Sequence, residues 1–195
     1  MTLRADLAKI AELVPAGVRV LDVGCGDGEL MAELRDAKGV DARGMEIDAA
    51  EVERAVARGL SVVQGDANRD LADYPDQAFD VAILSQTLQT AERPDWLLDQ
   101  LLRVGKVAFV SFPNFAYWRM RLSLLWTGKM PNSRHLPANW YETQNIHHTT
   151  IFDFLELVGE RGIRVEGSWF FAAGREIGDG NANWRAEHAV FQLSR

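Results

Sequence analysis

The chain has 195 residues, 47% of them hydrophobic, which suits one folded domain and excludes a disordered chain. Its formal net charge of −7 argues against nucleic acid as a partner, and no apolar run approaches the roughly 18 residues that would call for a membrane. A single cysteine, Cys25, leaves no internal disulfide, as expected of a cytoplasmic protein, and the first residues carry no apolar signal-peptide core.

Leu3 to Leu13 predicts an amphipathic helix, with Leu3, Leu7, Ile10, Ala11 and Val14 at helical spacing and Pro15-Ala-Gly17 as its stop. Val18 to Val23 reads as a short buried strand. It runs into Gly24, Gly26 and Gly28, and a helix from about Glu29 to Asp36 follows with Leu30, Met31 and Leu34 on one face. Strand, glycine turn and helix form half of a βαβ unit. In an open parallel sheet a nucleotide-like ligand sits in the crevice at the carboxyl end of such a strand. The G-x-G-x-x-G dinucleotide fingerprint fails here, because Glu29 stands where the third glycine belongs. Asp27 and Asp22 also bring negative charge to a place where a pyrophosphate would want the reverse. Acid around the turn fits a ligand with positive charge, or with hydroxyls and amines that need acceptors.

Asp41 to Asp48 predicts a second strand. Glu46 follows the turn by about 20 positions, the offset of an acid that grips a ribose, since one carboxylate accepts from two vicinal hydroxyls. Asp48 competes for that role but stands where the N-cap of a helix from Ala49 to Arg58 belongs, with Gly59 as its stop. Leu60 to Asp66 is a third strand, again ending in acid; Gly65-Asp66 also reads as ordinary turn chemistry. Val81 to Leu84 is the fourth, with Ser85 and Gln86 at its carboxyl end. Pro94 to Val104 is a helix, Val104-Gly-Lys106 a short turn, and Val107 to Phe112 the fifth strand. Thr150 caps a helix from Ile151 to Glu160. Ile163 to Phe171 and Ala189 to Leu193 are strands six and seven, and Arg175 to Arg185, rich in Gly and Asn, reads as a mobile loop.

Residues 114–150 stand apart. Arg119, Arg121, Lys129 and Arg134 face Glu142 alone, interleaved with Trp118, Trp126, Trp140 and Tyr141. A connection this long is usually functional, here a lid or a docking segment; an extra helical hairpin completing the core is the plainer alternative. His147 is a weak candidate for a general base, and the catalytic residues are otherwise unknown. The histidines lack partners at ligand spacing, so no metal site is expected. Cys25 reads as a small residue in a tight turn whose acidic neighbours raise its pKa, and not as a nucleophile.

The string Asp22-Val-Gly-Cys-Gly-Asp-Gly28 resembles the first motif of class I S-adenosylmethionine-dependent methyltransferases. The strings Ile83-Leu-Ser-Gln-Thr-Leu-Gln89, Val110-Ser-Phe-Pro-Asn-Phe115, Trp118-Arg-Met-Arg-Leu122, Gly128-Lys-Met-Pro131 and Trp140-Tyr-Glu-Thr-Gln-Asn-Ile-His147 narrow this to a resemblance to the MetW family of methionine-biosynthesis proteins, covering about 1–173. The resemblance implies a single methyltransferase-like α/β domain over 1–195: a doubly wound, seven-stranded, mostly parallel sheet with the 114–150 insertion after strand five. It implies S-adenosylmethionine or S-adenosylhomocysteine as cofactor, with Asp66 and Ala67 at the adenine. The full set expected at the ligand is Asp22, Gly24, Cys25, Gly26, Gly28, Glu46, Ile47, Asp66, Ala67, Ser85 and Gln86. It also implies a hetero-complex with homoserine O-acyltransferase. Two functions follow: a ligand-binding module docked on that enzyme, or an active methyltransferase on an unidentified small-molecule acceptor.

Overall fold

A computed structural model describes residues 3–131, 139–140 and 142–195. The elements in chain order are α1 (Ala5–Leu13), β1 (Arg19–Val23), α2 (Glu29–Lys38), β2 (Asp41–Glu46), α3 (Ala49–Ala57), β3 (Ser61–Gln64), α4 (Ala67–Asp70), β4 (Phe79–Ser85), α5 (Pro94–Val104), β5 (Gly105–Pro113), α6 (Trp118–Thr127), α7 (Ile151–Glu160), β6 (Arg164–Ala172), β7 (Arg175–Ile177), α8 (Ala182–Arg185) and β8 (His188–Ser194). They build one sheet in the order β3-β2-β1-β4-β5-β8-β6-β7. The first five strands of that order are parallel; β8 runs antiparallel to both β5 and β6. The chain winds outward from β1 to β3, then starts again at β4 on the other side of β1. That reversal leaves a crevice at the carboxyl ends of β1 and β4.

Alternation along the strands gives the sheet two apolar faces. Leu21, Val23, Ala82, Leu84 and Val110 pack with Leu98 and Leu101 of α5 and Phe154 of α7. Val20, Val81, Ile83 and Phe109 pack with Leu7 and Ile10 of α1 and Leu30 and Leu34 of α2. Each of the larger of these side chains, fully buried, contributes roughly 1.5–3 kcal/mol. Local signals set the helix ends. Asp48 accepts the Ala50 N–H and starts α3, and Thr150 forms a capping box with Asp153 at α7.

The sheet has eight strands where seven were expected. The extra one, β7, and the short α8 both lie in the Gly- and Asn-rich stretch 175–185 read above as a mobile loop. Antiparallel pairing of Phe170 with Ile177 and of Ala172 with Arg175 recruits that stretch to the sheet edge, and Ala182 and Asn183 are buried. The expected turn at Val104–Lys106 is also absent: α5 passes directly into β5 at Gly105. A Cβ there would stand 2.8 Å from both the Cβ and the backbone nitrogen of Ala82, so only glycine lets the two elements join this close to β4.

The insertion is one helix and a returning limb, not a hairpin of two helices, among the described residues. Only Met120 of α6 is buried. The returning limb donates from Ile146 and His147 to the Gln89 carbonyl, and Phe115 donates to the Thr149 carbonyl, closing the base of the excursion. Arg134 and Tyr141, expected in the lid or docking segment, lie outside the described residues.

Candidate ligand-binding site

Two cavities flank the glycine turn and meet at Gly24. The first, about 410 Å³, is lined among others by Glu46, Ile47, Asp66, Ala67 and Gln86. The second, about 390 Å³, lies on the α1 side and is lined by Arg4, Asp22, Cys25, Gly26 and Ser85 among others. Together they reach the size range of sites for drug-sized ligands. Gly24 makes the junction possible. It has φ +71°, and a Cβ would stand 2.3 Å from the Thr87 hydroxyl.

Glu46, at the tip of β2, turns back over the glycine loop. Its Oε2 accepts the Gly26 N–H at 2.8 Å, and its Oε1 accepts the N–H groups of Ile47 and Asp48 at 2.8 and 3.0 Å. Three of its roughly four lone-pair sites are thus filled by backbone. Asp66 has a place both in the cavity wall and in the local turn. It lines the first cavity and caps α4, its Oδ1 accepting from Asn68 N at 3.0 Å and Asn68 Nδ2 at 2.9 Å. Gln86 closes the far wall. Its backbone sits at φ +51°, a conformation costly for a non-glycine residue, and its buried Nε2 has no hydrogen-bond partner among the described residues.

Asp22 is 3% exposed, and its carboxylate accepts no hydrogen bond among the described residues. Burial, then the charge of Glu46, pushes its carboxyl up to about 7, while Arg4 pulls the other way. The same burial, with Asp22 and Glu46, pushes the Cys25 thiol up, so Cys25 stays protonated and is no nucleophile.

Ten of the eleven expected ligand residues line one cavity or the other. Gly28 lines neither. It backs onto Leu60, whose Cδ1 lies 2.3 Å from where a Cβ would stand, and it serves the packing of α2. His147 is not brought to either cavity. It lines a third, about 270 Å³, with Leu88, Pro94 and Phe154, and its buried Nε2 has no hydrogen-bond partner among the described residues. Residues that the sequence did not single out also line the site: Arg4, Asn68, Thr87, Thr90 and Gln144. Gln144 brings the returning limb of the insertion to the first cavity's wall. Among the described residues no group of three or more His, Cys, Asp or Glu could hold a metal ion, and no helix is long and apolar enough to cross a membrane.

A sheet of this order, whose acid-tipped strands meet a glycine turn at the switch point, has the class I methyltransferase fold. It is shared by an S-adenosylmethionine-dependent methyltransferase from Archaeoglobus fulgidus (TM-score 0.73, 16% identity, 98% of this chain and 92% of that one). It is shared equally by one from Mesorhizobium loti (TM-score 0.73, 17% identity, 98% of each chain). Within that class, the chain belongs to the MetW family: the family described as methionine biosynthesis protein MetW matches residues 4–193. A Rhodopirellula baltica protein named bifunctional methionine biosynthesis protein MetXA/MetW is 34% identical over 207 residues, spanning 100% of this chain and 33% of its own length. The chain therefore covers about a third of that relative.

Proposed function

We propose that this protein is a cytoplasmic ligand-binding module of methionine biosynthesis. It binds S-adenosylmethionine or S-adenosylhomocysteine and acts in a complex with homoserine O-acyltransferase. The observation that carries the reading is the pair of cavities joined at Gly24. One is walled by the strand-tip acids Glu46 and Asp66; the other holds a buried acid, Asp22, short of a cation. An adenosine with a charged amino-acid tail has the length and the complementary groups. Glu46 takes a ribose hydroxyl through its remaining lone pair, Asp66 faces the adenine side, and Gln86 Nε2 supplies an unused donor. The Rhodopirellula relative, which by its name joins a MetXA part to a MetW part in one chain, supports the partnership.

The docking face is the C-terminal half of α6. Leu124, Leu125 and Trp126 are exposed there, Trp126 by 75%, and Met130 is exposed just beyond the helix end. Exposed apolar side chains that include a tryptophan mark an interaction surface. Arg121, also considered for docking, is held by the fold as well. Arg121 donates to the Ala116 carbonyl at 2.6 Å and covers the Trp184 ring at 5.3 Å.

Methyl transfer to a small-molecule acceptor is the second reading, supported by the fold shared with S-adenosylmethionine-dependent methyltransferases. Transfer from an activated sulfonium asks for alignment and exclusion of water. A protonated acceptor also asks for a base, and no histidine lines the two cavities among the described residues. The test is calorimetric titration with S-adenosylhomocysteine, then co-elution with the acyltransferase with and without it. Binding without labelled-methyl turnover, and a ligand-dependent change in complex affinity, are expected. Linkage requires the acyltransferase to change ligand affinity by the same factor. Absence of heat on titration overturns the reading.

A further inference from the structure

The sheet face turned toward α1 changes character at its carboxyl rim. Val20, Ile83 and Phe109 are buried and apolar on that face; the next same-face positions are Asp22, Ser85 and Ser111. Asp6 of α1, 1% exposed, lies over the serines. Its Oδ2 accepts from Ser111 Oγ at 2.9 Å and from Ser85 Oγ at 3.2 Å. The two carboxylate oxygens also hold Arg4, from Nε to Oδ1 and from Nη2 to Oδ2, both at 3.2 Å. Arg4 Nη2 donates to Ser85 Oγ at 3.0 Å. The guanidinium is therefore held at three points. Its Nη1 makes no hydrogen bond among the described residues, and the side chain is 48% exposed at the mouth of the second cavity.

Across that cavity stands Asp22, buried and without a hydrogen bond. Of the other charged groups there, Arg54 is matched with Glu51 and Asp27 with Arg58, while Glu29 makes no ion pair among the described residues. The cavity thus offers one fixed cation with free donors and two acids lacking a cation, the buried Asp22 and the half-buried Glu29, which together complement the carboxylate and the ammonium of an α-amino acid.

We propose that Arg4 is the carboxylate anchor of the nucleoside's amino-acid tail, and that Asp6, braced by Ser85 and Ser111, is the positioning residue that holds it there. This rests on the nucleoside reading above. It makes α1 part of the binding site and gives the protein a means of telling the intact tail from a decarboxylated or truncated one. Guanidinium–carboxylate pairing is among the stronger and more directional polar contacts, so the discrimination is expected to be roughly tenfold or more.

The experiment compares three ligands on the full chain by calorimetry: S-adenosylhomocysteine, its decarboxylated analogue (which keeps the amine), and 5′-methylthioadenosine (which has no tail). The wild-type protein is expected to bind the first at least roughly tenfold tighter than the second. In Arg4→Gln that ratio falls to near one, while 5′-methylthioadenosine binds as before and shows that the variant is folded. Arg4→Lys restores part of the ratio, and Asp6→Asn lowers it without touching a ligand atom. The proposal is overturned if Arg4→Gln binds S-adenosylhomocysteine as the wild type does. It is also overturned if all three ligands weaken alike, since the helix and not the carboxylate would then be responsible. If the wild-type protein binds no nucleoside, the underlying reading fails and takes this one with it; if it binds all three equally, only the role of Arg4 fails.

Discussion

The rim of the sheet beneath α1 and the outer half of α6 invert the usual distribution of residues in opposite ways. The rim buries polar and charged groups, Asp6, Asp22, Ser111 and His188. The helix exposes large apolar ones, Leu125 and Trp126 at 75% each. Soluble domains normally do neither, because unpaired burial costs free energy and exposed apolar area invites association. The rim is ordered from within: Asp6 is matched to Arg4, Ser85 and Ser111, so those groups keep their places before anything binds. The helix has one buried residue, Met120, so its outer half offers the apolar surface on which the proposed docking rests. A preorganised polar pocket suits a small ligand; an unpartnered apolar helix suits a protein.

The largest effect that separates the regions is a pH dependence at the rim. Burial raises the folded pKa of Asp22 to about 7 from the ordinary carboxylate range, so the folded state holds its proton where the unfolded chain has lost it. Stability therefore falls as pH rises from about 4 to about 7, and stays low above that. Asp22→Asn removes the penalty. It should match the wild type at pH 4 and gain up to about 4 kcal/mol at pH 8, at about 1.4 kcal/mol per pKa unit. Urea denaturation at both pH values checks this, and an equal effect at both would show that Asp22 is not the titrating group. Nucleoside binding should also release protons near pH 7, as the ligand's ammonium restores the Asp22 charge.

Next in size is Asp6→Ala, expected to cost roughly 2–3 kcal/mol by leaving Arg4 and the two serines without their shared acceptor. Burial raises the Asp6 pKa, but Arg4, His188 and the hydrogen bonds outweigh it and the net shift is downward. Its contribution is therefore present above about pH 4 and lost as the pH falls through its folded pKa, opposite in direction to Asp22. Denaturation of the variant at pH 7 and pH 3 should show the difference from wild type shrinking on the acid side.

On the helix the expected pattern reverses. Trp126→Ala should change unfolding free energy by less than about 0.5 kcal/mol, as surface changes do, yet weaken the acyltransferase complex by roughly tenfold or more. Surface-immobilised binding measurements decide it, and an unchanged affinity would move the docking face elsewhere. The smallest effect is that of Arg121→Ala: about 1 kcal/mol of stability, from the lost Ala116 hydrogen bond and the Trp184 contact, with complex affinity within about twofold. A large loss of complex there would return the interface to the base of α6.

What the residues announce along the chain is what short-range forces decide. The cap of α3 at Asp48, the capping box of Thr150 and Asp153, the run of α5 from Pro94 to Val104 and the glycine turn after β1 each depend on neighbours within a few positions. The alternation of apolar residues adds the faces of the strands, and the ordered acids Asp22, Glu46 and Asp66 add the rim of the cleft. What joins distant segments was decided only in three dimensions. Arg4 and Asp6 meet Ser85 and Ser111 because α1 packs across β4 and β5, and nothing near residue 4 or 6 signals a partner about eighty or a hundred positions away. His147 ends a distinctive motif, yet the limb that carries it is tied to Gln89 and turns it into a different cavity. The stretch 175–185 has a loop's composition and becomes an edge strand and a helical turn, because Phe170 and Phe171 of β6 offer it a ladder to complete. Periodicity and capping act over one or two turns of chain; strand order and register act over the whole sheet, and it is they that set which side chains share a cavity.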